Sequence, residues 1–239
     1  MNFRLFSSLT LAGIVAAASL ARADEPKAIR HLVYDFDVSL TSTLSQQSYD
    51  TTTNSTGSNG DRGQIVVDVL SVQPDTGLVV RISENARNTR TAEPAMCVTY
   101  GNGQFICETG KKINEEEYTL LRLLGKNFVN TAQIDAHNHW TYGTTSPDLD
   151  ETSDYTIDAN KGGILQISLT RQMRAKGPQG SLSSTQGKVV YNQNLGVPIS
   201  DTEDTVTRQE GAQTYNRLEQ QISFNLVTDS MQQQTTASH

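Results

Sequence analysis

Along most of this chain apolar and polar residues alternate with a period of two. Tyr34, Phe36, Val38 and Leu40 take turns with Asp35, Asp37, Ser39 and Thr41, the pattern of a strand with one buried and one wet face. Leu165, Ile167 and Leu169 alternate with Gln166, Ser168 and Thr170, and Leu218, Ile222, Phe224 and Leu226 with Glu219, Gln221, Ser223 and Asn225. Ile65 to Val72 and Leu78 to Ile82 are β-branched runs separated by Pro74-Asp75-Thr76-Gly77, which has the residues of a chain reversal. Because the alternation recurs from one end of the chain to the other, it predicts a large antiparallel sheet.

One segment departs from this period. Asn114 followed by Glu115, Glu116 and Glu117 reads as an N-cap and an acidic first turn, where the helix dipole favours negative charge. Ile113 and Tyr118 stand at the positions of a hydrophobic staple. Leu120, Leu121, Leu123 and Leu124 follow, and Gly125 takes the place of a C′ glycine. A helix over residues 115–124 that is apolar around much of its circumference must pack against something, and a curved sheet offers its open face. The expected class is therefore mainly β (α+β): a large curved antiparallel sheet or half-barrel with one short helix on its concave face.

Two polar stretches, residues 41–62 and 175–186, interrupt the apolar pattern and read as hairpin tips. Each ends in a similar run, Gly63-Gln64-Ile65-Val66-Val67-Asp68 and Gly187-Lys188-Val189-Val190-Tyr191-Asn192, which hints at two related halves. Residues 231–239 carry no apolar pattern and read as a disordered tail.

The first 23 residues have a different purpose. A short start carrying Arg4, a compact apolar run from Leu9 to Ala21, and Ala21-Arg22-Ala23 before Asp24-Glu25-Pro26 form the pattern of a cleaved secretory signal. The apolar run is too short to span a bilayer, so no transmembrane anchor is expected. The expected organisation is a signal peptide over 1–23, one β-rich domain over 24–230 and the tail, in a periplasmic or extracellular protein.

In an oxidising compartment the two cysteines gain meaning. Cys97 and Cys107 flank Val-Thr-Tyr-Gly-Asn-Gly-Gln-Phe-Ile, two β-rich tripeptides around a Gly-Asn-Gly turn. A three-residue loop at 101–103 opposes 100 with 104, 99 with 105, 98 with 106 and 97 with 107, which puts the sulfurs within disulfide reach.

Charge narrows the partners. Removing Arg4 and Arg22 takes two from the 19 basic residues and none from the 26 acidic, so the net charge moves from −7 to −9. Such a chain is poorly suited to nucleic acid. Candidate chemistry is sparse. If Asp135-Ala136-His137-Asn138-His139 is a strand, Asp135, His137 and His139 share one face, and a carboxylate with two imidazoles can ligate Zn²⁺. Asp148, Asp150, Glu151, Asp154 and Asp158 form an acidic run whose spacing is not that of an EF-hand, read here as a solvated loop with a calcium site as the alternative. There is no G-x-S-x-G, phosphate-loop or dinucleotide motif. Nothing nominates catalytic residues or a cofactor, and the balance is against an enzyme.

In element order and export signal the chain resembles periplasmic lipoprotein carriers and related half-barrel lipid-binding proteins of bacterial envelopes. No family motif comes with the resemblance, so it implies no site residues. Two functions are open. One is binding of a lipid or other apolar molecule beneath the helix as a lid, in a cavity lined by Tyr34, Phe36, Tyr118, Leu121 and Phe224. The other is a structural module of the envelope that contacts a protein partner through sheet edges or polar hairpins.

Overall fold

The computed structural model describes residues 26–48, 51–73, 77–87, 93–100, 103–125, 128–129, 133–177, 180–211 and 214–231. The expected signal segment of residues 1–23, the Pro74-Asp75-Thr76 part of the predicted turn and the expected disordered tail beyond Met231 lie outside them.

Eleven strands form one antiparallel sheet: β1 Arg30–Ser48, β2 Thr51–Gln73, β3 Gly77–Ala86, β4 Ala95–Thr99, β5 Phe105–Cys107, β6 His139–Thr145, β7 Leu149–Lys161, β8 Ile164–Ala175, β9 Ser181–Asn192, β10 Val197–Glu210 and β11 Thr214–Asp229. Their spatial order is β5-β4-β3-β2-β1-β11-β10-β9-β8-β7-β6. The chain starts in the middle, meanders out to the β5 edge, crosses to the β6 edge, and meanders back until β11 pairs with β1. The crossover carries the only described helix, α1 Glu115–Leu123.

The helix stands on the signals its sequence carries. The Asn114 backbone N–H donates to Glu117 Oε2 at 3.0 Å, half of a capping box. Gly125 adopts φ 95° just past the C-cap, a conformation open to glycine. Its N–H donates to Gly196 O at 2.9 Å and its carbonyl accepts the Tyr191 hydroxyl at 2.6 Å, which seats the helix end on β9 and the β9–β10 turn.

One face of the sheet supplies a single core. Leu32, Tyr34 and Phe36 of β1, Ile65 and Val67 of β2, Leu165, Ile167 and Leu169 of β8, Val189 and Tyr191 of β9, and Ile222 and Phe224 of β11 are buried together with Leu120, Leu121, Leu123 and Leu124. Phe128, after the helix, is the aromatic hub: its ring meets Trp140, Tyr155 and Tyr191 at centroid distances of 5.9, 5.3 and 5.1 Å. Register shifts at Val33/Tyr34, Val69/Ser71, Ile157/Ala159 and Pro198/Ser200 bend the strands. The buried ion pair of Arg30 with Asp229 (3.0 and 2.6 Å) clasps β1 to β11, and Arg30 Nη1 also donates to Leu195 O at 2.7 Å.

The 41–62 stretch is strand rather than hairpin tip. β1 runs to Ser48 and β2 resumes at Thr51, and the two pair residue by residue through it. Backbone pairing to a neighbour carries a strand beyond the point where its side chains stop being apolar, a contribution that apolar periodicity does not register. In the second polar stretch, β8 reaches Ala175 and β9 resumes at Ser181. The two similar runs fall on β2 and β9. A Cβ on Gly63 would lie 2.1 Å from Asn85 O, and one on Gly187 would lie 2.9 Å from Thr202 O.

Phe128→Ala is expected to cost about 3–5 kcal/mol, since it empties a site packed by three aromatic rings. Urea unfolding of the two proteins measures it.

Candidate functional site

The sheet does not close, and its seam forms the candidate site. Between the free edges β5 and β6 lies a cleft of about 450 Å³. Tyr100, Gln104, Phe105 and Ile106 line one side, Tyr142 and Thr144 the other, and Tyr118, Arg122 and Glu151 form its base. The short β5 is fixed by register and by a covalent bond. Cys97 pairs with Cys107, Val98 with Ile106 and Thr99 with Phe105, as the loop arithmetic requires, and Cys97 and Cys107 are joined in a disulfide. The Phe105 and Tyr118 rings meet edge to face at 5.0 Å. The Arg122 guanidinium lies 5.4 Å from the Tyr118 ring centre, within cation–π range.

Arg122 stands alone among the leucines of α1 and is buried. Its Nη2 makes a short ion pair with Glu151 and donates to Ser153 Oγ at 3.3 Å, and its Nη1 donates to the Tyr118 hydroxyl at 3.4 Å. Burial works against its charge, but the neighbouring tyrosine hydroxyls and Glu151 outweigh it and hold the guanidinium protonated. Beyond Glu151, at 3.7 Å, lies Arg171, which grips Glu203 through two 3.0 Å bonds. Gly187, between β8 and β10 in the same register row, leaves room for the Glu203 side chain: a Cβ there would lie 3.1 Å from its Cγ. Asp201 is buried with no side-chain partner for its carboxylate. Burial, then the adjacent Glu203, push its pKa well above the usual range.

Strand register explains this polar patch. Trp140, Tyr155, Leu169, Gly187, Glu203 and Ile222 form one inward row across β6 to β11. The next row toward the strand tips is Tyr142, Ser153, Arg171, Thr185, Thr205 and Gln220. One step of two residues takes the lining from mostly aromatic and aliphatic to mostly polar. At the helix N-terminus, Glu84 of β3 accepts from the Asn114 amide at 3.1 Å. Burial pushes its pKa up to about 8, with Glu116 and Glu117 adding to the rise.

Of the five residues expected to line a cavity, Tyr118 lines this cleft. Tyr34, Phe36, Leu121 and Phe224 sit in the packed core, with Tyr34 and Phe224 edge to face at 5.8 Å. The cleft residues that the alternation pattern did not single out include Tyr100, Phe105, Arg122, Tyr142 and Glu151. A lone cation inside Leu120-Leu121-Arg122-Leu123-Leu124 was the available signal, because a buried charge requires a partner.

The 135–139 segment is a turn, not a strand, so alternation does not give Asp135, His137 and His139 a common face. Asn138 takes φ 59° and β6 starts only at His139. Asp135 instead accepts the backbone N–H groups of His137 and His139 at 2.7 and 3.0 Å, an Asx-type closure. Among the described residues no group of three or more His, Cys, Asp or Glu is placed to hold a metal ion.

From Asp150 on, the acidic run at 148–158 belongs to β7 rather than to a loop, with Asp148 in the bend before it, and alternation disperses it. Glu151 turns inward to Arg122. Asp150 pairs with Lys176 at 2.7 Å, Asp154 accepts from Thr141 at 2.6 Å, and Asp158 accepts from Ser168 at 2.6 Å. Asp154 and Asp158 answer to donors on the neighbouring strands, Asp150 to Lys176 just past β8 and Glu151 to the helix, which the spacing along the chain could not display.

No protein-family model matches the chain, and no curated protein matches it.

Two outcomes test this geometry. Arg122→Met strands Glu151 in the interior and is expected to cost about 3 kcal/mol, while the double change Arg122→Met with Glu151→Leu recovers most of it in urea unfolding. Glu84 has an ordinary pKa of 4.5 and a folded value of about 8. The native state therefore keeps a proton that the unfolded chain releases, and this contribution to stability is full below pH 4.5 and lost as pH rises to 8. Glu84→Gln should flatten that part of the stability–pH curve and leave the rest unchanged.

Proposed function

We propose that the protein is an exported, non-enzymatic binding protein of the cell envelope that takes a lipid or other apolar small molecule in the β5–β6 cleft. The observation that carries this reading is the lining of the cleft: Tyr100, Phe105, Tyr118 and Tyr142 surround a space of about 450 Å³, within the range of small-molecule sites. Aromatic faces suit an apolar body. The tyrosine hydroxyls and Arg122 at the base suit one polar end. The ligand site lies beside the helix, with Tyr118 as the helix's contribution, while Leu121 belongs to the core below.

Two features support an extracytoplasmic compartment. The N-terminal segment has the pattern of a cleaved signal, and a disulfide is characteristic of oxidising environments. No helix among the described residues is long and apolar enough to cross a membrane.

A second reading is favoured by one observation. β3 pairs with β2 only from Gly63 onward, so among the described residues no strand flanks Thr52–Asn59 on the side away from β1. That stretch carries no charged residue, and a strand from an envelope partner could add to it.

The deciding experiment is organic extraction and mass spectrometry of the mature protein from its native host, joined to titration with N-phenyl-1-naphthylamine. Bound lipid, and probe binding weakened about tenfold by Tyr118→Ala or Tyr142→Ala, is the expected result, since one lost aromatic contact is worth roughly a kcal/mol. A protein that carries no lipid and binds no probe overturns the cleft reading and leaves the partner-strand reading in its place.

A further inference from the structure

On the outer face of the sheet, far along the strands from the apolar core, lies a second concavity of about 910 Å³ at the tips of β7 to β10. Its lining includes Asp150, Arg174, Lys176, Arg208 and Leu182. Register places the key members in one row: Arg174 of β8 is opposite Leu182 of β9, which is opposite Arg208 of β10, which is opposite Arg217 of β11. All four are on the opposite face from the buried Arg171, Ser183 and Ile222. In a chain where acids outnumber bases, three arginines in one row are notable, and two of them are directly paired across strands. Like charges opposite one another destabilise a sheet.

The protein's own carboxylates compensate this charge only in part. Arg217 is bridged to Glu219 at 2.6 Å and Lys176 to Asp150 at 2.7 Å. Arg208 is exposed with no ion pair among the described residues, and exposed Arg174 has only Asp150, directly opposite on β7 and already bridged to Lys176, as a neighbouring carboxylate. Two strands apart, their backbones are about 10 Å from each other. Between them stands Leu182, half exposed at 50%, an apolar side chain flanked by two exposed guanidiniums.

We propose that this groove is a second binding site, for a ligand with two phosphate-type anionic groups about 10 Å apart and an apolar centre. Each guanidinium takes one anionic end, with the two-pronged geometry that suits phosphate, and Leu182 covers the middle. Glu210 and Asp150, also in the lining, oppose such a ligand and limit its affinity. The site does not depend on the β5–β6 cleft, since the two share no residue.

Calorimetric titration of the full mature chain at low salt tests it, with hexane-1,6-diol bisphosphate, hexyl phosphate and inorganic phosphate as probes. The bisphosphate is expected to bind at least tenfold more tightly than hexyl phosphate and to weaken as salt rises. Arg174→Gln and Arg208→Gln should each cost about tenfold with the melting temperature held, while Glu210→Gln should tighten binding. Lys188→Gln, on the same strand as Leu182 but outside the groove, should change nothing. Flotation with vesicles of phosphatidylcholine and cardiolipin identifies the source: co-flotation lost in Arg174→Gln assigns a lipid headgroup, and bisphosphate binding without flotation assigns a soluble ligand. Equal affinity for mono- and bisphosphate, or binding indifferent to both arginine changes, overturns the proposal.

Discussion

The chain leaves its sheet at one edge and re-enters it at the other, and the arrangement of eleven strands depends on the segment that makes this passage. Every other strand connection is between neighbours, but the link from β5 to β6 must cross the inner face, and it does so carrying α1. Leu120, Leu121, Leu123 and Leu124 are removed from water on that crossing, each worth roughly 1.5–3 kcal/mol of burial. The helix is therefore the filling around which both halves of the sheet curl. Because it and the residues after it occupy the interior, the two edges approach without pairing, and the seam between them remains a cleft.

Charges inside such a core need another account. A buried ion pair is weak evidence of stability, because well-packed apolar groups of the same volume serve as well or better. Its geometric demand is strict, however. Arg122 with Glu151 fixes the rotation of α1 relative to β7, Arg171 with Glu203 ties β8 to β10, and Arg30 with Asp229 ties β1 to β11. The Gly187 position shows the backbone yielding space to one of these pairs. Glu84 and Asp201, both pushed toward the neutral acid by burial, are tolerated as protons held rather than as charges paired.

The two faces of the sheet then divide the surface chemistry. The seam is aromatic with a cation at its base. The outer face at the strand tips is the reverse, with exposed guanidiniums around one apolar side chain. Both follow from strand alternation, which sends Glu151 and Arg171 inward and Asp150 and Arg174 outward within the same two strands.

Local sequence determined a good deal of this protein. Alternation in Tyr34 to Leu40 and Leu165 to Leu169 announced half-buried strands, Asn114 to Gly125 announced a capped helix, and the Gly-Asn-Gly loop set the register that joins Cys97 to Cys107. These features act between residues close in the chain, so spacing alone expresses them. Where the signal was conditional, structure went the other way: 135–138 closed into a turn on its own Asp135 carboxylate, and the polar 41–62 stretch became strand through pairing with its neighbour. The tertiary structure alone decided what meets across the sheet. Tyr100 and Tyr142 are brought to one cleft, Arg122 to Glu151, and Arg174 to the row of Arg208, because strand order and the crossover set those neighbours. Such contacts depend on elements far apart in sequence, and no periodicity within a single strand encodes them.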